Sequence, residues 1–302
     1  MGFWIPGCAI HEYTDGNLAK TQYRGRGLGG YAARAAVHVQ RCVAVGYRRI
    51  VNFFPWFSPH TYYDIDMNAI LLSPQWADAR WFGTDDLGRD LFVRTMYGGR
   101  VSLAVGLVAT AVSLVFGVAW GATAGYFGGR IDHVMKRLVD ILSAIPFMLF
   151  VNQLMVVFGR NILLIFVAIG AVNWLDMARI VRGQTLSLRQ REYIQAAEVM
   201  GASRARIIAR HIVPNLLGIV VVYATLTIPQ VILIESFLSF LGLGVQEPMT
   251  SWGALVQQGT QVMRIAPWVL LWPAGLLAVS LMCLNFTGDG LRDALDPKDA
   301  HR

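Results

Sequence analysis

Five stretches of this chain are apolar over roughly the 20 residues that a helix needs to cross about 30 Å of hydrocarbon. They lie at Val101–Tyr126, Leu138–Phe158, Ile162–Ala178, Ile212–Ile234 and Trp268–Phe286. One water-soluble core does not accommodate five such runs, and with 55% hydrophobic and only 15% charged residues in 302 the chain belongs in a bilayer. Lipid offers no partner for backbone N–H and C=O groups, so the runs must be helices and the fold class is an all-α polytopic membrane protein. The third run is the shortest and carries Asn173 and Asp176 toward its end. Arg179 and Arg182 follow directly, which puts Asp176 at an interface rather than at mid-membrane. Pro214 and Pro229 in the fourth run and Pro273 in the fifth predict kinks.

A net charge of +7 would suit nucleic acid, but the cations cluster at the ends of apolar runs instead of along one polar face. They set membrane orientation. Arg130, Lys136 and Arg137 follow the first run, seven arginines lie between Arg179 and Arg210, and Arg292, Lys298 and Arg302 end the chain, while the alternate loops hold Arg160 and Arg264. The positive-inside rule therefore places 179–211 and the C-terminus in the cytoplasm, and 235–267 and 64–100 outside. The implied plan is an atypical leader at 1–60 where a first span is expected, an extracytoplasmic segment at 61–100, a transmembrane domain at 101–290 and a cytoplasmic tail at 291–302.

The insert from Arg179 to His211 reads RIVRGQTLSLRQREYIQAAEVMGASRARIIARH. Ser187 with Gln190 three residues on has the form of a capping box, predicting a helix start there, and Gly201 predicts its stop. Tyr193, Ala196, Ala197 and Met200 fall at i, i+3, i+4 and i+7, which predicts one apolar face with two small residues at its centre. Such a face suits close approach of another protein, and equally a solvated helical hairpin between spans. Ser203 is placed to cap a second helical piece.

Gln195-Ala196-Ala197, Gly201 and Ile212-Val213-Pro214 together resemble the cytoplasmic signature loop of binding-protein-dependent ABC importer permeases. The resemblance extends over about Trp81 to His301. FGTDDLGRDLFVR, NILLIFVAIGAVNWLDMARIVRGQTLSL, ESFLSFLGLGVQEPMTSWGAL and GDGLRDALDPKD are similar to the C-type permease subunits of oligopeptide importers. The resemblance implies a type I ABC importer transmembrane domain in a bacterial inner membrane, with five clear spans and a sixth near the N-terminus. It implies a homologous second permease, two cytoplasmic ABC ATPases and an extracytoplasmic peptide-binding protein as partners, with ATP and Mg held by the ATPases and no cofactor on this chain. It assigns ATPase coupling to Glu192, Gln195, Ala196, Ala197, Gly201 and Pro214. Gln195 stands where the signature has Glu, which removes a charge from any contact with the ATPase.

The N-terminus departs from the family. The expected first span would fall in YAARAAVHVQRCVAVGYRRIVNFFPWF, where Arg34, Arg41, Arg48 and Arg49 would each cost about 2.5–3.5 kcal/mol at mid-helix. Family-like sequence resumes at about Pro55. Residues 1–50 are consistent with a shifted reading frame and equally with a genuine alternative leader; Met1–Ala9 is not a secretory signal.

Other chemistry finds little to work with. Cys8, Cys42 and Cys283 form no CxxC pair, His133 and His211 lack ligand spacing, and there is no HExxH, GxSxG or GK[ST] phosphate loop. Neither a catalytic nor a metal site is predicted. Asp85, Asp86 and Asp90 lack the EF-hand spacing and its closing Glu, so turn and cap roles are expected, with Asp90 capping a short helix Leu91–Tyr97 before a turn at Gly98-Gly99. Asn152, Gln153, Asn173, Gln230, Glu235 and Asn285 are candidates for a substrate path, against the alternative of helix-to-helix hydrogen bonds. Gly117, Gly121 and Gly125 have small-xxx-small spacing, which predicts close helix packing. Three functions remain open: oligopeptide import; import of dipeptides, glutathione or a metal chelate by a similarly built permease; and a non-transporting membrane scaffold or sensor.

Overall fold

The structure is a computed structural model and describes residues 58–76, 78–159 and 162–295, with backbone only at 162–165 and 294–295. The N-terminal expectations for residues 1–57 lie outside the described residues. Regular structure within them is helical, apart from one isolated bridge between Thr84 and Asp90.

Helix α1 runs over Leu91–Phe127, 37 residues or about 55 Å. Asp90 caps it, accepting from the Val93 N–H at 2.9 Å. The expected turn at Gly98-Gly99 does not form. Both glycines are buried inside the helix, and a Cβ on Gly98 would stand 3.0 Å from the Ser251 carbonyl carbon, so Gly98 serves a close approach and not a bend. Gly128, at φ 64°, ends α1.

The expected span Leu138–Phe158 also needs correction. It is divided between α2 (Gly129–Ser143) and α3 (Phe147–Phe158), which meet at 80°. Pro146 provides the physical reason: it has no N–H to continue the ladder and its ring disfavours helical backbone at Ile145. Helix α4 spans Ile162–Arg189 and so carries the third apolar run well into the basic insert. After it come α5 (Glu192–Val199), α6 (Arg204–Ile207), a π-helical turn at Ile208–Ile212, α7 (Val213–Phe240), α8 (Trp252–Val262) and α9 (Trp268–Leu295). Pro229 and Pro273 sit inside α7 and α9, and neither ends its helix. Among the described residues, three stretches are long and apolar enough to cross a bilayer as they stand: Leu91–Phe127, Arg204–Phe240 and Trp268–Asp293. The bent pair α2–α3 makes a fourth if read as one broken span.

α1 packs chiefly along α4. A Cβ on Gly125 would meet Thr185 Cβ at 2.7 Å, one on Gly121 would meet Val181 Cβ at 2.8 Å, and one on Gly117 would meet Met177 Cβ at 2.6 Å. The small-xxx-small stripe is therefore a packing seam, as its spacing predicts. α7 lies on another side of α1, where Gly106 accommodates Ile232.

At the end of the bundle away from the basic insert, the FGTDDLGRD segment folds into a clasp. Asp85, 1% exposed, receives Arg89 Nε at 2.7 Å and faces Arg94 Nε at 3.3 Å; Arg94 is fully buried. Arg89 donates to Glu247 at 2.9 Å, and Arg94 donates to Gln258 of α8 at 3.2 Å. The three aspartates thus serve as turn, cap and ion-pair groups. Together they fasten the start of α1 to the connection between α7 and α8.

Candidate coupling surface

The basic insert forms a helical hairpin closed by two local devices. No helix starts at Ser187, where the apparent capping box predicts one, because α4 is still running there. It continues through Arg189, and Ser187 lies in its last turn. The chain restarts at Arg191, which has extended backbone (φ −74°, ψ 140°) and makes no side-chain cap bond. Neither glycine nor proline stands at this break. Its consequence is that Ile194, fully buried, and Ala197, 4% exposed, turn back onto the bundle. The far end follows expectation. Gly201 adopts φ +81°, its N–H bonds the Glu198 carbonyl at 3.0 Å, and the Ala202 N–H bonds the Ala197 carbonyl at 3.1 Å, the paired closure of a Schellman motif. Ser203 occupies the N-cap position of α6 but contributes no side-chain bond.

The return into α7 is widened by one residue per turn. The Val213 N–H reaches back to the Ile208 carbonyl, and Pro214, exposed in the first turn of α7, lacks the N–H that a regular ladder would use. The π-helical turn absorbs that defect and delivers Ile212 and Leu216 into the core.

These devices divide α5 into two faces. The inward one, Ile194 and Ala197, joins a buried cluster with Ala122 and Tyr126 of α1, Met177 and Val181 of α4, Ile207, Ile212, and Leu216 and Val220 of α7. The outward one presents Tyr193, Ala196, Val199 and Met200, with Val199 88% and Met200 80% exposed, beside Glu192 and Gln195. Ala197 is thereby corrected: its smallness lets α5 lie close on its own bundle, while Ala196 is the small residue left open. Tyr126 Oη donates to Glu198 at 2.8 Å, fixing the same helix from α1. Arg189 and Arg204 lie over the rings of Tyr126 and Phe127 and border a cavity of about 300 Å³ beneath α5. Sequence spacing missed Ile194 and this tyrosine–glutamate tie. The i, i+3 pair Ile194/Ala197 was the available signal, masked by the longer Tyr193-based pattern.

One ion pair and one hydrogen bond anchor the start of the insert. Arg182 grips Asp132 of α2 in a two-point contact, with Nη2–Oδ2 at 2.6 Å, and Arg179 donates to Ser143 Oγ at 2.5 Å. Asp176 is exposed and pairs with Arg179 at 2.9 Å.

The substrate-path candidates separate by burial. Asn152, Gln153, Gln230 and Asn285 are exposed on the surface of this chain. Asn173 is half-buried and returns its amide to the Ile169 carbonyl of its own helix at 2.9 Å. Glu235 does not face a path. It is fully buried and accepts from Ser102 of α1 at 2.9 Å and Ser239 at 2.6 Å. Ser251, the N-cap of α8, donates onward to Ser239 at 3.1 Å, and the Trp252 N–H reaches Ser102 at 3.3 Å. Glu235 is the hub of a hydroxyl cage tying α1, α7 and α8 together, because a buried carboxyl group needs partners and three serines supply them.

Comparison with known proteins places this architecture. Residues 117–299 match the family described as binding-protein-dependent transport system inner membrane component. The chain is 56% identical over 249 residues to the oligopeptide transport system permease protein OppC of Haemophilus influenzae, covering 82% of this chain and 80% of that protein. It is 55% identical over 288 residues to the protein of the same name from Salmonella typhimurium, covering 93% and 94%. Among solved structures, an inward-facing conformation of the MetNI methionine ABC transporter superposes with a TM-score of 0.56 at 21% identity, covering 68% of this chain and 96% of that one. At that identity the likeness speaks for the fold alone.

Proposed function

The chain belongs to the binding-protein-dependent transport system inner membrane component family, and from that premise we propose that it is the permease subunit of an ATP-driven importer whose cargo is oligopeptides. The observation that carries the coupling role is the two-faced α5. Its inner residues are locked into a cluster drawn from α1, α4 and α7, while Tyr193, Ala196, Val199 and Met200 are left without cover. A partner seated on the outer face cannot move α5 without moving three long helices, since packed interiors transmit displacement instead of absorbing it.

The arrangement suits a bundle with two states, one open to each side of the membrane. Two cytoplasmic ATPases that bind ATP and Mg would bias the equilibrium between the states through α5 and its counterpart on a homologous second permease. An extracytoplasmic peptide-binding protein would deliver cargo at the clasp end. On this reading the basic insert and the C-terminus face the cytoplasm of a bacterium and the α7–α8 connection faces outward. This chain breaks no bond; its work is conformational.

Peptide accumulation by the complete complex in proteoliposomes tests the proposal. ATP-dependent uptake of a labelled oligopeptide is expected, with at least about tenfold loss in Gly201→Trp, which breaks a left-handed turn that L side chains rarely adopt. Normal uptake by a fully assembled Gly201→Trp complex would remove α5 from the coupling path. Complex formation with no peptide uptake by the wild type would instead favour the scaffold reading.

A further inference from the structure

Helix α2 presents an apolar face that the other described residues leave uncovered. Ile131, Val134, Leu138 and Ile141 follow at i, i+3, i+7 and i+10, all on one side, and all are exposed. The helix touches its own bundle by a different side: Val139 is 3% exposed, and Asp132 is clamped by Arg182. At 100° per residue these buried positions lie roughly 120–140° around the helix from the centre of the apolar stripe. Arg130, His133 and Arg137 border the stripe along one edge and are exposed. Val134, Leu138 and Ile141, with His133 and Arg137 beside them, make a shallow open patch on this one helix, apolar on one side and cationic on the other. The 80° bend at Ala144–Pro146 sets this helix at an angle to α3, and an apolar face bordered by cations suits a helix at a membrane boundary.

We infer that this patch on α2 is a binding site for an anionic phospholipid, its acyl chain on Val134, Leu138 and Ile141 and its headgroup phosphate at His133 and Arg137, with Arg130 reinforcing the charge. The pairing of an apolar side with a cationic one matches an amphiphile with an anionic head, and neither half alone would select one. No ion pair or hydrogen bond among the described residues engages these three basic side chains. Because Arg182 and Arg179 bolt α2 to the start of the coupling insert, lipid held here steadies the base from which α5 projects. The inference rests on the membrane reading of α2–α3 and is independent of the cargo.

The test uses the assembled complex in phosphatidylcholine nanodiscs doped with phosphatidylglycerol or phosphatidylcholine bearing a photoreactive acyl chain. Adducts are mapped by peptide mass spectrometry. Labelling between Ile131 and Ile141 is expected from phosphatidylglycerol in at least about fivefold excess over phosphatidylcholine, the ratio expected for a single cation near an anionic headgroup. In Arg130→Gln/Arg137→Gln the excess should disappear, and in Arg130→Lys/Arg137→Lys it should persist. Equal labelling by the two lipids in the wild type overturns the headgroup site. Absence of adducts on α2 while exposed positions of α7 are labelled shows that protein covers the stripe, and overturns the lipid as occupant. Peptide uptake is not part of the readout, so a wrong cargo assignment leaves this result standing.

Discussion

Arg94 is the residue whose environment is most demanding. A fully buried guanidinium is tolerable only because Asp85, Gln258 and, at 3.8 Å, Glu247 surround it. Arg94→Ala would leave Asp85 buried against Arg89 alone and should destabilise the chain by about 3–5 kcal/mol, the usual cost of breaking a buried pair from one side. Detergent thermal denaturation of the purified complex measures it. Glu247 gives the same clasp a pH dependence. Partial burial pushes its carboxyl upward, but hydrogen bonding to Arg89, the charges of Arg89 and Arg94, and the Gln258 amide outweigh that and hold it below the ordinary carboxylate range. A carboxyl group held below its unfolded value, about 4.3, stabilises the fold above that pH and loses the contribution as pH falls through its lower folded value. Glu247→Gln should therefore lower the melting temperature at pH 7, and the gap from wild type should narrow as pH drops below about 4. A gap that widens on acidification would show that Glu247 is not held in its charged form.

At the scale of elements, the seam between α1 and α4 and the hairpin around α5 make separate demands. Gly121→Leu forces a side chain against Val181 and the Ala178 carbonyl. Overpacking of this kind costs about 1–3 kcal/mol or more, so reduced yield of assembled complex is expected, read by size-exclusion chromatography. Ile194→Ala removes the inner anchor of α5 at about 2–5 kcal/mol of local stability. It should uncouple ATP hydrolysis from uptake and leave the membrane helices in place, a split visible as retained ATPase activity with reduced peptide accumulation. Much of this was legible beforehand. Gly117, Gly121 and Gly125 announced a seam by spacing alone, and Gly201 announced a helix end because few other residues take φ +81°. What misled was local chemistry overruled by packing. Ser187 and Gln190 have the letters of a cap, yet α4 runs on, and the turn falls where Ile194 can be buried. Gly98-Gly99 looked like a break and serves instead to admit Ser251 of a helix more than 150 positions away, which no local pattern reveals.

For the whole molecule, apolar runs and cation placement gave the membrane class, and the resemblance gave the family. The path of the chain between runs required coordinates. The Leu138–Phe158 run holds a proline whose consequence, an 80° bend, depends on what α2 then packs against. Glu235 read as a pathway residue because sequence shows a carboxylate in a span but not the serines from three helices that enclose it. Orientation remains testable directly. A reporter active only in the cytoplasm should work after Arg302 and fail at Gln246, an exposed position in the α7–α8 connection that avoids disrupting α8.

The central claim is that α5 faces its bundle with Ala197 and the ATPase with Ala196, and cross-linking from single cysteines tests it most directly. In the complete complex, Ala196→Cys treated with a short bifunctional maleimide should join this chain to the ATPase, and Ala197→Cys, buried in the cluster that includes Ile207 and Leu216, should not. Cross-linking from Ala197 in preference to Ala196, or from neither position in a complex that hydrolyses ATP and accumulates peptide, would contradict the account.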